Sequence, residues 1–178
     1  TRTSRVANTN IIAGLPGHPI ENITLSDLHF LHPGTGTAEE ADRPDVPELP
    51  ERYPENDMFG VLPAWGFWVR HARGIVLDNV RLDLVEPDLR SAFLADDVAD
   101  LELSGFRADS TRAAHFIRLR RTRRAFIRGS RALGPVGSFL DLADTASTDI
   151  ALVGNDTRHA SSPVTVVAGV VAGTVKQS

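Results

Sequence analysis

The stretch GFWVRHARGIVLDNV, Gly66–Val80, decides the fold, because the chain goes on to repeat it. Two apolar triplets, Phe67–Val69 and Ile75–Leu77, flank a polar corner at Arg70–Gly74, and a second turn follows at Asp78–Asn79. The pattern returns three times downstream, and its second half occurs once upstream. One aliphatic column runs Leu25, Leu77, Leu103, Ile127, Leu152, with last steps of 26, 24 and 25 residues. The first step is 52, which is two coils, or one coil plus a long loop. A second column runs Phe67, Phe93, Ile117, Leu140, Val164, and a third runs Val69, Ala95, Leu119, Leu142, Val166. Small or turn residues follow the first column at Asp27, Asn79, Gly105, Gly129 and Gly154.

A fixed period in the twenties built from strands and turns predicts a parallel β-helix of about five coils. Helical repeats need 3.6-periodic runs of ten or more residues, and the chain has none. A leucine-rich repeat needs an asparagine at a fixed turn position, which most of these units lack. A β-sandwich gives short alternating strands but not three columns in near-constant register.

Stacked coils place equivalent outward residues one above another. Arg70, Asp96 and Arg120 share one outward column, His71, Asp97, Arg121 and Asp144 share the next, and Arg118 lies opposite Asp141. The segment 112–131 holds eight arginines and no acid, and the units on either side supply the acids. Opposite charges on adjacent strands attract and pin register.

Residues 1–19 read as loop, and the first clear strand is Ile23–Leu25. Residues 33–63 interrupt the repeat with six prolines, eight acidic residues and two arginines, a local charge of −6. Proline at that density argues against a helix or an interior strand. The same segment carries Tyr53, Met58 and Phe59, which argue for a loop that packs back on the body. The expected organisation is one domain over 1–178: a first coil region at 1–32, the inserted loop at 33–63, and regular coils from 64 to 178.

Composition excludes several classes. Net charge is −4, there is no cysteine, and Lys176 is the only lysine among 19 basic residues. Disulfides and thiolate metal sites are therefore ruled out. No apolar run reaches the length of a membrane span, and no signal peptide is visible. The chain begins at Thr1, and neither end carries a polar or helical cap; the expectation is a protein that continues at least upstream.

The candidate chemistry is sparse. Asp96–Asp97 is the only aspartate pair of glycosidase type, yet cations on both sides should lower both pKa values, which suits ion pairing rather than proton donation. His29 and His32 face opposite sides of an extended segment and cannot share a metal. His18 sits in a constrained Pro-Gly-His-Pro loop and is the histidine best placed as a ligand contact. No serine, histidine and acid are spaced as a recognisable triad. Aromatic interleaving is too thin for nucleic acid; a uronic-acid polymer, needing only a few free arginines, fits better. Trp65 and Trp68 lie where the long loop rejoins the body. Trp68 should point outward, either to stack on a sugar or to lie beneath the loop.

Residues 16–25, PGHPIENITL, and 53–71, YPENDMFGVLPAWGFWVRH, resemble the bacterial branch of glycoside hydrolase family 28, the polygalacturonase and rhamnogalacturonan-hydrolase type. The resemblance continues through GIVLDNV and DDVADLELSGF and covers roughly residues 11–106. It implies a right-handed parallel β-helix, inverting hydrolysis of galacturonosidic bonds by three aspartates, no cofactor, and an extracellular or periplasmic location. The family's catalytic motifs are missing. Its Asn-Thr-Asp stands here as Asn8-Thr9-Asn10, none of the six histidines precedes a glycine, and Arg-Ile-Lys has no counterpart. The resemblance therefore implies the C-terminal part of such an enzyme, inactive alone. Its partners would be a pectic polysaccharide or oligogalacturonide and the remaining N-terminal coils, with neither nucleic acid nor membrane. The expected substrate-binding residues are His18, Tyr53, Trp65 and Arg70, along the Trp65–His71 edge. The alternative is a non-catalytic carbohydrate-binding or structural β-helix.

Overall fold

The computed structural model describes residues 9–43, 46–53, 55 and 58–178. Its strands are β1 (Asn10–Ala13), β2 (Ile20–Ser26) and β3 (His29–His32), then β4 (Ala64–Asp78), β5 (Arg81–Leu84), β6 (Ser91–Ser104) and β7 (Arg107–Ala108). They continue as β8 (Ala113–Arg120), β9 (Arg123–Arg128), β10 (Arg131–Ala132), β11 (Val136–Leu142), β12 (Thr148–Val153), β13 (Ala160–Val166) and β14 (Val175–Gln177). One short helix, α1 (Ala38–Ala41), lies between β3 and β4. Every named strand pair is parallel, which makes the chain a parallel β-helix of about five turns.

Each coil has three flat faces. The first carries β1, the front half of β4, the front half of β6, β8, β11 and β13. The second carries β2, the back halves of β4 and β6, β9, β12 and β14. The third is the short sheet β3–β5–β7–β10. All three columns read from the sequence are in register, from Leu25↔Leu77 to Leu140↔Val164. The direct pairing of Leu25 with Leu77 resolves the 52-residue step as one coil plus the long loop.

The corners depend on backbone that L-residues seldom adopt. Asp27, Asn79, Gly105, Gly129 and Gly154 all have φ between 52° and 62°. The corner between the first two faces narrows to His71, Asp97 and Arg121, with φ of 45°, 58° and 43°. Asn, Asp and Gly tolerate this region, while histidine and arginine need neighbours that hold them there.

The interior is mainly apolar. Leu77, Phe93, Leu103, Ile117, Leu119 and Ile127 have no exposed surface. Phe93, Phe106, Phe116 and Phe139 form a chain of ring contacts, with centroids 5.9, 5.7 and 5.5 Å apart. Burying each such side chain contributes roughly 1.5–3 kcal/mol.

Two expectations need correction. Residues 10–13 are a strand, not loop, and pair with Phe67–Arg70. The strand is short, and Asn10 occupies the position held by Phe67 in the next coil, so the aromatic column gives no warning of it. The inserted loop also contains a helical turn. It falls in the proline-free part before Pro44, started by a capping box between Thr37 and Glu40.

Candidate functional site

The inserted loop folds back over the outer surface of the first face. Trp68 and Leu94 point outward from β4 and β6 and are nonetheless buried, packed against Val46, Leu62 and Ala64 with Phe59 alongside. The Phe59 and Trp68 rings meet edge to face at 5.1 Å. Of the two readings of Trp68, the one beneath the loop holds.

Buried charge ties the loop down. Asp88 and Arg90 form an ion pair at 2.7 Å with Asp88 fully buried. Asp88 accepts a hydrogen bond from the Gly36 amide at the start of the loop, and Arg90 donates to the Leu62 carbonyl at its end. In the middle, Arg70 donates to the Val46 carbonyl and pairs with Glu48. His71 stands beside it, with Nε2 3.2 Å from both Glu48 carboxylate oxygens and Nδ1 2.6 Å from Asp97. A neutral imidazole has one N–H and satisfies one of these contacts; an imidazolium satisfies both.

Under the same loop, toward the first coil, lies a cavity of about 730 Å³. Ile11, Ala13 and Ile20 form its floor, Met58 and Phe59 one wall, and His18, Glu48, Arg52 and Glu55 its polar rim. An apolar base with a few polar groups is the usual make-up of a small-molecule pocket, and the volume falls in the usual range for one. A second, polar cavity of about 270 Å³ lies past the Leu15–His18 turn, lined by His71, Arg73, Asp97, Ala99 and Arg123.

The four expected contact residues separate. His18 is exposed, in a turn closed by two backbone bonds with Leu15, and lines the larger cavity. Tyr53 is 81% exposed and is not among the lining residues. Trp65 lies inside the coil, edge-on to His32 at 5.3 Å, with no free face for a sugar; its place on an outer substrate edge is corrected. Arg70 is buried and committed to the loop. Glu48, Arg52, Glu55 and Phe59 line the larger cavity together with His18. The only signal for them in the sequence was the pairing of apolar residues with acids in one proline-rich segment.

The Asp96–Asp97 pair is not free either. Asp97 bonds His71, and Asp96 pairs with Arg121 at 2.6 Å. Burial is the dominant influence on Asp96 and raises its pKa in spite of Arg121, Arg120 and Arg70 around it, which reverses the direction expected from the sequence. The structure also assembles a serine, a histidine and an acid. Ser138 Oγ lies 2.8 Å from His115 Nδ1, and His115 Nε2 lies 3.7 Å from Asp141. Ser138 is fully buried and also contacts Thr165, so no substrate reaches its oxygen. Thr9 and Asn10 are tied by hydrogen bonds to the Ala64 and Gly66 carbonyls, and Asn8 lies outside the described residues. His29 pairs with Asp83, while His32 is buried beside Asn10 and Trp65, so the two do face opposite ways. Among the described residues, no three His, Asp or Glu side chains are grouped to hold a metal ion. No helix there is long and apolar enough to cross a membrane. No protein-family model, curated protein or solved structure matches this chain.

Proposed function

We propose that the chain is the C-terminal solenoid of a pectin-degrading glycoside hydrolase. It supplies scaffold and one wall of the substrate cleft, and the catalytic aspartates lie outside it. The observation that carries the reading is the 730 Å³ cavity between the acidic loop and the outer surface of β1, with an apolar floor and His18 and Arg52 at its rim. Sugar rings present apolar faces to such a floor, and arginine pairs with a uronate carboxylate. The family resemblance of the loop and of the Pro-Gly-His-Pro turn supports the same reading, and those two segments line the cavity together.

The engagement of Asp97 with His71 and of Asp96 with Arg121 favours binding without turnover by this chain. Oligogalacturonide titration followed by calorimetry should show binding that weakens on Arg52→Gln or Phe59→Ala, with no release of reducing ends. Release of reducing ends would overturn the inactive assignment. A titration with no heat and no chemical-shift change would overturn the cleft-wall role.

The second reading is a carbohydrate-binding or structural β-helix with no enzymatic counterpart. It rests on the same cavity and on the closed state of the Ser138–His115–Asp141 set. An active protein reconstituted with upstream coils would exclude it.

A further inference from the structure

Several outward charges on this solenoid are paired between adjacent coils. Arg118 pairs with Asp141, Arg124 with Asp100, and Arg128 with Glu102, each from an adjacent coil. One column on the second face has a gap between two arginines. Its registered order is Glu21, Arg73, Ala99, Arg123, Thr148. Two arginines stand two coils apart, with alanine where an acid would complete the ladder. Their Cα atoms are separated by two strand spacings, roughly 10 Å. The 270 Å³ cavity opens at this gap, with Ala99, Arg73 and Arg123 all on its wall.

The acids nearby do not fill the gap. Glu21 pairs with Arg73 from the far side at 3.3 Å. Asp100 lies within electrostatic reach of both arginines, but its two carboxylate oxygens bond Arg124 Nε and Nη2 at 2.6 and 2.8 Å. Asp97, on the cavity wall, is bonded to His71. Among the described residues, Arg123 has no carboxylate in ion-pair contact.

We infer that this notch is a carboxylate-binding site, in which the ligand's carboxylate takes the place of the acid missing at Ala99. Two planar guanidinium forks, from coils on either side of Ala99 and lining one cavity, suit a planar anion. The carboxylate is supplied by a uronic acid or by a free small carboxylic acid. The uronate source rests on the proposed pectin reading; the site itself does not.

The test titrates the protein with sodium acetate, D-galacturonate, D-galactose and trigalacturonate, followed by calorimetry and by NMR of the arginine Nε–H groups. Acetate and galacturonate should bind and galactose should not, with at least a tenfold loss in Arg123→Gln and in Arg73→Gln. Ala99→Asp should abolish acetate binding and raise the melting temperature, because it supplies the missing rung. Acetate binding without galacturonate binding keeps the site and removes the uronate source. Trigalacturonate binding that falls in Arg52→Gln but not in Arg123→Gln overturns the notch and leaves the cavity reading standing. No acetate binding, or binding indifferent to all three notch variants, overturns the site.

Discussion

The molecule holds two apolar clusters that differ in how they are specified. Inside the coils, Leu77, Leu103 and Ile127 are each buried by the residue one repeat away, and all are aliphatic at a nearly fixed period. Outside, Trp68 and Leu94 are buried by Val46, Leu62 and Phe59, which come from a non-repeating loop. The first cluster is a property of the repeat, and its energetics are set by contacts between neighbouring coils. The second exists only while the loop is held down, so it depends on a few buried ion pairs. That explains why the cavity belongs to the second region: a loop fastened at separate points leaves space between them.

Mutations should separate the two regions. The largest effect is expected inside. Phe93→Ala removes a fully buried ring from the ring chain and should cost about 3–5 kcal/mol of global stability, read by chemical denaturation. Asp88→Ala should cost about 3 kcal/mol, the low end for breaking a buried pair, because Arg90 keeps its bond to Leu62. Its signature is faster amide exchange at Gly36 and through 58–62, with the coils from 91 onward still protected. Uniform loss of protection would mean that the loop and solenoid are one cooperative unit.

Glu48→Gln weakens the central fastening to Arg70 and His71. It should cost about 1–2 kcal/mol and shift Trp68 fluorescence to the red while the melting temperature of the coils holds. An unchanged Trp68 spectrum would show that packing alone keeps the loop in place.

Two smaller effects concern charge on the first face. Burial raises the pKa of Asp96, so its ionisation is harder in the folded than in the unfolded chain. Ionised Asp96 is therefore a net cost to stability, absent below the ordinary value of 3.8 and complete above the raised one. Asp96→Asn should be neutral or stabilising at pH 7, within about 1 kcal/mol. Clear destabilisation would restore the ladder as the dominant influence. His115 has the opposite dependence. Burial lowers its pKa below 6.5, so the neutral ring's contribution is intact above pH 6.5 and is lost as pH falls toward the lowered value. His115→Gln should flatten stability against pH on the acid side of 6.5, as seen in a melting-temperature series.

Particular residues show how much was readable beforehand. The inner columns and the turn column from Asp27 to Gly154 were legible because burial and left-handed backbone each restrict residue type at a regular spacing. Strand β1 was not, since Asn10 breaks the aromatic column and only pairing with Phe67 gives it a place. Trp65 and Trp68 are three apart, so strand alternation puts one inside the coil and the other outside, but only the fold shows that the loop covers the outer one. The same limit applies to Asp96: its neighbours were read correctly from the register, but the burial that outweighs them comes from the fold.

The sequence by itself determined the solenoid, its period, the register of its coils and the positions of its corners. These are local facts repeated, and each repeat restates the same burial pattern and the same turn. Only the tertiary structure decided where the acidic loop lies, which aromatic rings it covers, and which charges meet. Those contacts join residues tens of positions apart that occur once each, so no periodicity announces them. The cavity beneath the loop and the arginine-lined notch beside it are products of that second kind of specification.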